Sequence, residues 1–117
     1  MGLTHQLRSL HDGILVGIGT VLSDDPQLTV RKWTGPNPQP IVLDSQLRTP
    51  QSARICHHPD KDCWILTVRP DAESLGEQVN VLAVHSAGGS QRRVPLEEAM
   101  SLLWERGIKS LMVEGGA

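Results

Sequence analysis

Five short, mostly apolar segments restrict this chain more than any other feature. They are Ile14–Val16, Ile41–Leu43, Trp64–Val68, Val79–Val84 and Ile108–Val113. The first is apolar at every position, so it suits a strand covered on both faces rather than one with a wet side. Polar or glycine-containing stretches separate the segments, and at least one strongly helical segment lies among them. Short apolar strands separated by helices and loops predict an α/β domain with a largely parallel sheet.

The clearest helix starts at Pro95. Leu96, Ala99, Met100 and Leu103 fall at i, i+3, i+4 and i+7, predicting an apolar stripe, while Glu97, Glu98 and Glu105 face away. Pro95 suits a first turn, the two acids follow near the positive end of the helix dipole, and Arg106-Gly107 closes the helix. Leu3, Leu7 and Leu10 have helical spacing too, so residues 3–10 are expected to end a helix that stops at Asp12-Gly13. Residues 32–40 carry Gly35, Pro36, Pro38 and Pro40 and read as a loop, as does Ser86–Arg93.

At 117 residues the chain is one domain or less. It has no Phe and no Tyr, so three Trp and many Leu, Val and Ile must fill the interior. A net charge of −2 exerts no overall pull on nucleic acid or an anionic membrane, and no apolar run is long enough to span a bilayer. Neither nucleic acid nor membrane is therefore expected as a partner. Cys56 and Cys63 do not make a disulfide framework, and the chain opens without a signal-peptide core. A reducing compartment follows: the cytoplasm, or a plastid in a eukaryote.

Cys56-His57-His58 with Cys63 is locally rich in zinc-ligand types. It lacks a CxxC or HxxxH frame, so a loop with incidental Cys and His is the plainer reading and no metal is expected. The His-x-Glu and Pro-Cys-x-x-Cys signature of a zinc nucleoside deaminase is also missing. Asp24-Asp25 before Pro26 reads first as a turn or a cap, with a carboxylate pair as the competing view. Asp44-Ser45 reads as a strand-end turn, and Arg31 and Arg48 as solvated groups unless an anion is present.

The ends of the strands alter this balance. Ligands in open α/β sheets sit at the carboxyl ends of strands. If the strands ending near residues 17, 43 and 113 are neighbours, Thr20, Asp24, Ser45 and Glu114 converge on one rim and form a site. Glu114-Gly115-Gly116 then stands where a helix N-terminus able to hold phosphate usually begins.

In this order the residues resemble the reductase domain of riboflavin biosynthesis, the C-terminal half of a bifunctional deaminase–reductase with a dihydrofolate-reductase-like fold. The resemblance covers residues 5–117. It rests on His5-Gln6-Leu7-Arg8, Asp12–Gly17, the stretch GTVLSDDPQLTVR over residues 19–31, Val42-Leu43-Asp44-Ser45 with Arg48 and Pro50, and Val113-Glu114-Gly115-Gly116. It implies NADPH-dependent reduction of 5-amino-6-(5-phosphoribosylamino)uracil, in which the ribosyl unit becomes ribityl. By the same resemblance, Thr20, Asp24, Ser45 and Gly116 line the cofactor. Arg8, Leu28, Arg31 and Glu114 hold the phosphorylated sugar, Asp24 is the catalytic candidate, and the enzyme is a homodimer.

The family domain begins earlier, with a strand and a Ser-x-Trp segment, and continues past Glu-Gly-Gly. Residues 1–117 therefore read as a partial reductase domain, and the sheet is expected to be incomplete. Two alternatives stand beside the reductase: a non-catalytic nucleotide-binding or assembly module, and a related pterin or pyrimidine reductase.

Overall fold

The computed structural model describes residues 11–26, 38–50, 52–57, 61–68, 79–84 and 93–114. The expected helix over residues 3–10 and most of the loop at Ser86–Arg93 lie outside these residues. The elements in chain order are β1 (Gly13–Gly17), α1 (Ile18–Asp24), β2 (Gln39–Leu43), a 3-10 turn (Arg54–His57), β3 (Cys63–Thr67), β4 (Val79–Ala83), α2 (Leu96–Glu105) and β5 (Leu111–Val113).

All five expected strands are present and form one sheet in the order β4-β3-β2-β1-β5. Every neighbouring pair is parallel. The chain steps outward from β1 through β2 and β3 to β4, then α2 carries it back to the far side of β1. The strand order therefore reverses between β1 and β5, and the crevice at their carboxyl ends is the place where open α/β sheets take ligands.

Both faces of the sheet are covered, which explains the unbroken apolar runs. Ile14, Val16, Val42 and Ile65 pack on one side with Val21 of α1 and with Ala53, Ile55 and Cys56 around the 3-10 turn. Leu15, Ile41, Leu66 and Leu82 pack on the other with Ala99 and Leu103 of α2. Odd and even positions of each strand serve different cores, so neither set can be polar.

Helix α2 is turned relative to the expected stripe. Ala99 and Leu103 are buried and Leu102 is half-buried, but Leu96 and Met100 are exposed. The small Ala99 seats the helix on the sheet, which places the contact line through 99 and 103 and moves 96 and 100 to its flank. Its C-terminus behaves as expected. Gly107 has φ +96°, its N–H donates to the carbonyl of Trp104, and the N–H of Ile108 donates to that of Leu103. This paired closure needs a left-handed residue, which glycine supplies at little cost.

Three boundaries differ from expectation. Strand β2 begins at Gln39, so Gln39 and Pro40 belong to the sheet and not to the 32–40 loop, of which residues 32–37 lie outside the described set. Strand β5 is confined to Leu111–Val113, because the Asp12 carboxylate accepts the N–H groups of Lys109 and Ser110 and bends the chain there. The segment after β1, where the sequence suggests only a turn or cap at Asp24-Asp25, is a short helix ended by Asp25 in the left-handed region at φ 46°. At the start of β1, a Cβ on Gly13 would come within 3.0–3.2 Å of Ile108, Ile41 and Leu111, so this position is matched to the close approach of three side chains.

Candidate functional site

The tips of β2, β1 and β5 lie side by side. Gly17 is in register with Leu43, Leu15 with Val113, and the N–H of Glu114 donates to the carbonyl of Leu15 at 2.9 Å. The elements leaving these tips carry Thr20 and Asp24 on α1, Ser45 after β2 and Glu114 after β5. Ser45 and Glu114 therefore stand just beyond neighbouring strand tips, Thr20 lies in the first turn of α1, and Asp24 is at the far end of that helix. Thr20, Ser45 and Glu114 are half-buried there and Asp24 is exposed, with Ser23 Oγ donating to its Oδ1 at 3.2 Å. Arg8, Leu28, Arg31 and Gly116 lie outside the described residues.

Asp24 and Asp25 are not a matched pair. Asp25 serves the fold: its backbone N–H caps α1 on the carbonyl of Val21, and its Oδ1 accepts the N–H of Arg54 at 2.8 Å, tying α1 to the 3-10 turn. Asp24 is left on the surface at the end of α1. The turn-or-cap reading thus holds for Asp25, while Asp24 makes no such tie to another element of the fold.

Ser45 sits at the wall of a cavity of about 400 Å³. Ile18, Leu43 and Leu96 give it an apolar side, and Arg48 and Arg93 bring two guanidinium groups. Thr20, Asp24 and Glu114 are not in this wall. A second groove of about 370 Å³ runs along α2, lined by Glu97, Glu98 and Glu105. Electrostatics separates the two: three carboxylates repel a phosphorylated ligand, whereas two arginines attract one. The exposed position of Leu96 now has a local account, since it forms part of the arginine-bearing cavity.

Arg93, Asp44 and Ile18 were not foreseen as site residues, and Arg48 was read as a surface group. The Ser45–Arg93 connection has no local signature. Ser45 Oγ accepts the N–H of Val94 at 2.8 Å across a separation of 49 residues. The backbone carbonyl of Ser45 is itself held by Thr67 Oγ at 2.9 Å and by the N–H of Val68 at 3.1 Å.

The cysteine cluster resolves into core. Cys56 and Cys63 are buried free thiols on the α1 side of the sheet, and His57 is exposed. Among the described residues no three His, Cys, Asp or Glu side chains converge to hold a metal. Burial pushes both thiols up from the ordinary value of 9.0; the Asp25 carboxylate adds to this for Cys56, and Cys56 adds to it for Cys63. The folded state therefore favours neutral thiols, and the stability this contributes is complete below the unfolded value and lost as pH rises toward the folded one. The denaturation midpoint is expected to fall between pH 8 and pH 10, and to fall less in a Cys63→Ala variant. An equal fall in both proteins would assign the alkaline loss to other groups.

A parallel open sheet with a strand-order reversal and polar residues just beyond its strand tips places the chain among the open α/β folds, which take ligands at that end of the sheet. Comparison with known proteins narrows the class. Residues 2–117 match the family model described as the RibD C-terminal domain, and the chain belongs to that family.

Among curated relatives, the 2,5-diamino-6-ribosylamino-4(3H)-pyrimidinone 5′-phosphate reductase of Archaeoglobus fulgidus is 37% identical, over 97% of this chain and 56% of the relative. The reductase of the same name from Methanothermobacter thermautotrophicus is 40% identical, over 97% of this chain and 53% of the relative. A deaminase/5-amino-6-(5-phosphoribosylamino)uracil reductase from Thermotoga maritima superposes with a TM-score of 0.80 at 31% identity, over 97% of this chain and 30% of that one. The riboflavin biosynthesis reductase of Saccharomyces cerevisiae superposes at 0.75 and 30% identity, over 97% and 52%. The fold is thus the dihydrofolate-reductase-like α/β class of these reductase domains. The chain spans about half the length of the curated relatives it matches. Among the described residues no helix is long and apolar enough to cross a membrane.

Proposed function

We propose that residues 1–117 are part of an NADPH-dependent reductase domain acting in riboflavin biosynthesis. Its substrate is a pyrimidine carrying a 5-phosphoribosylamino group, and its product carries the ribitylamino group. The observation that supports this reading is the side-by-side placement of the tips of β2, β1 and β5, from which the segments carrying Ser45, Thr20 and Asp24, and Glu114 depart. A scaffold has no need of those four together.

The cofactor residues are Thr20, Asp24, Ser45 and Gly116; the substrate residues are Arg8, Leu28, Arg31 and Glu114. The cavity beside Ser45 suits a nucleotide: an apolar wall for a base and two guanidiniums for phosphate. NADPH supplies the hydride that reduces the opened, imine-like sugar carbon. The chain's own groups orient the sugar and balance its charge. Arginine suits the sugar phosphate because its planar fork binds two oxygens at once. Asp24, exposed at the end of α1, hydrogen-bonds a sugar hydroxyl or relays the accompanying proton. The protein acts as a homodimer in the cytoplasm, or in a plastid in a eukaryote.

A second reading concerns only the pyrimidine. Relatives at 37–40% identity are named for the 2,5-diamino-4-pyrimidinone phosphate. That compound differs from the uracil at C2, far from the reacting carbon, so the same rim serves both.

The test is Arg31→Ala in the full-length protein. Loss of a charge-assisted contact to phosphate, about 1.5–3 kcal/mol, is expected to raise KM for the phosphoribosyl substrate about 10- to 150-fold. The Kd for NADPH is expected to stay within about twofold, because it does not use that contact. Equal weakening of both, or of neither, overturns the assignment.

A further inference from the structure

We propose that Asp25 is a positioning residue: its bond to the 3-10 turn fixes the end of α1 and so sets where Asp24 meets the reactants. This rests on the reductase reading above and deepens it.

Helix α1 is a weak element. It has seven residues, and among the described residues it has no side-chain N-cap bond and buries only Val21. A helix this short does not hold itself in water. It is also a lever. Seven residues span about 10 Å, so a tilt of about 6° moves the far end, where Asp24 stands, by about 1 Å. A misplacement of that size at a reacting centre can cost about a hundredfold in rate. A reductase that uses Asp24 therefore needs that end held.

Asp25 holds it. Its backbone N–H donates to the carbonyl of Val21 at 3.1 Å, and its Oδ1 accepts the N–H of Arg54 at 2.8 Å. The donor is fixed to the core. Arg54 lies between Ala53 and Ile55, both buried, and the N–H of Cys56 donates to the carbonyl of Ala53 at 3.0 Å. An N–H that opens a helical turn finds no acceptor within it. Asp25 supplies one from 29 residues away.

Local preference does not account for the backbone of Asp25. Pro26 biases the residue before it toward extended backbone, yet Asp25 lies at φ 46°, ψ 55°. Asp and Asn tolerate this left-handed region better than other residues with a Cβ, and both carry a short oxygen acceptor. The turn sends two consecutive carboxylates to different partners: Asp25 to Arg54, and Asp24 to Ser23 Oγ, where it stays exposed.

Turnover and amide exchange in the full-length protein test this. Asp25→Gly keeps the left-handed backbone and removes the acceptor. Arg54→Pro removes the donor at a first-turn position, which suits proline. Each is expected to lower kcat about 10- to 100-fold while circular dichroism stays unchanged. Exchange at the Arg54 N–H in ligand-free Asp25→Gly is expected to rise about tenfold. Asp25→Asn keeps both backbone and acceptor, and Arg54→Ala keeps the N–H; both are expected within about threefold of the wild-type kcat. Asp24→Asn is expected to lower kcat by itself, and Asp25→Gly added to it to cost less than about threefold more, because Asp25 acts through Asp24. A merely structural role lowers the thermal midpoint and leaves the kcat of folded enzyme unchanged. If one of Asp25→Gly and Arg54→Pro does not fold, the other decides. Unchanged kcat in a folded variant of that pair, unchanged Arg54 exchange, or a full further loss on Asp24→Asn overturns the positioning role and leaves the reductase reading standing. Failure of the wild type to oxidise NADPH with the phosphoribosyl substrate overturns the reductase reading and this role with it.

Discussion

Ile65→Ala is expected to destabilise the protein by about 2–5 kcal/mol, measured as a drop in the urea unfolding midpoint. Ile65 has no exposed surface and sits in β3, in register with Val42 of β2 and Val81 of β4. Its side chain belongs to the core formed with Val42, Ile55, Cys56 and Cys63. Truncation opens a void between the sheet and the 3-10 turn, and rigid strands on either side restrict collapse into it. Leu22→Ala, at an exposed position of α1, is expected to cost less than about 1 kcal/mol. Comparable losses at the two positions would contradict the burial pattern.

Asp44→Ala is expected to cost about 2–4 kcal/mol, because two backbone N–H groups and one hydroxyl lose their acceptor in a buried loop. The loss should appear in the thermal midpoint and as faster hydrogen exchange at Arg48 and Thr49. Asp44→Asn keeps one oxygen as an acceptor and should lose less. If exchange at Arg48 and Thr49 stays slow in Asp44→Ala, the carboxylate is not what holds the turn.

Much of the fold is legible because parallel strands covered on both faces write themselves as apolar runs. Pro95, the two following acids and Gly107 bracket α2 for equally local reasons. Helix α1 is not legible. Gly17, Gly19 and the Ser-Asp-Asp-Pro that follows are poor helix formers, and Val21 is its one buried residue. Tertiary packing overrides propensity there. The rotation of α2 escapes the periodicity argument because 96, 99, 100 and 103 form one stripe on paper; only contact with the sheet selects which edge is buried.

The rim was legible from strand ends, since side-by-side tips follow from parallel order once β5 returns beside β1. The cavity was not. The segment of Arg93 joins Arg48 in one cavity wall through the bond from the N–H of Val94 to Ser45 Oγ, and no local spacing announces such a bond. The cysteines illustrate the converse: ligand-type residues close in sequence can belong to a hydrophobic interior.

The clasp between Asp12 and Ser110 joins positions 98 residues apart. Strand β1 therefore gains its second neighbour only once the segment 98 residues further along has been laid down, and that closure carries the entropy of a very long loop. Pairings with such sequence separation slow folding, and they leave an open strand edge until they form. On the ribosome, the crevice at the strand-order reversal thus stays unformed until β5 has emerged: the rim beside β1 is assembled by the same event that joins β5 to it.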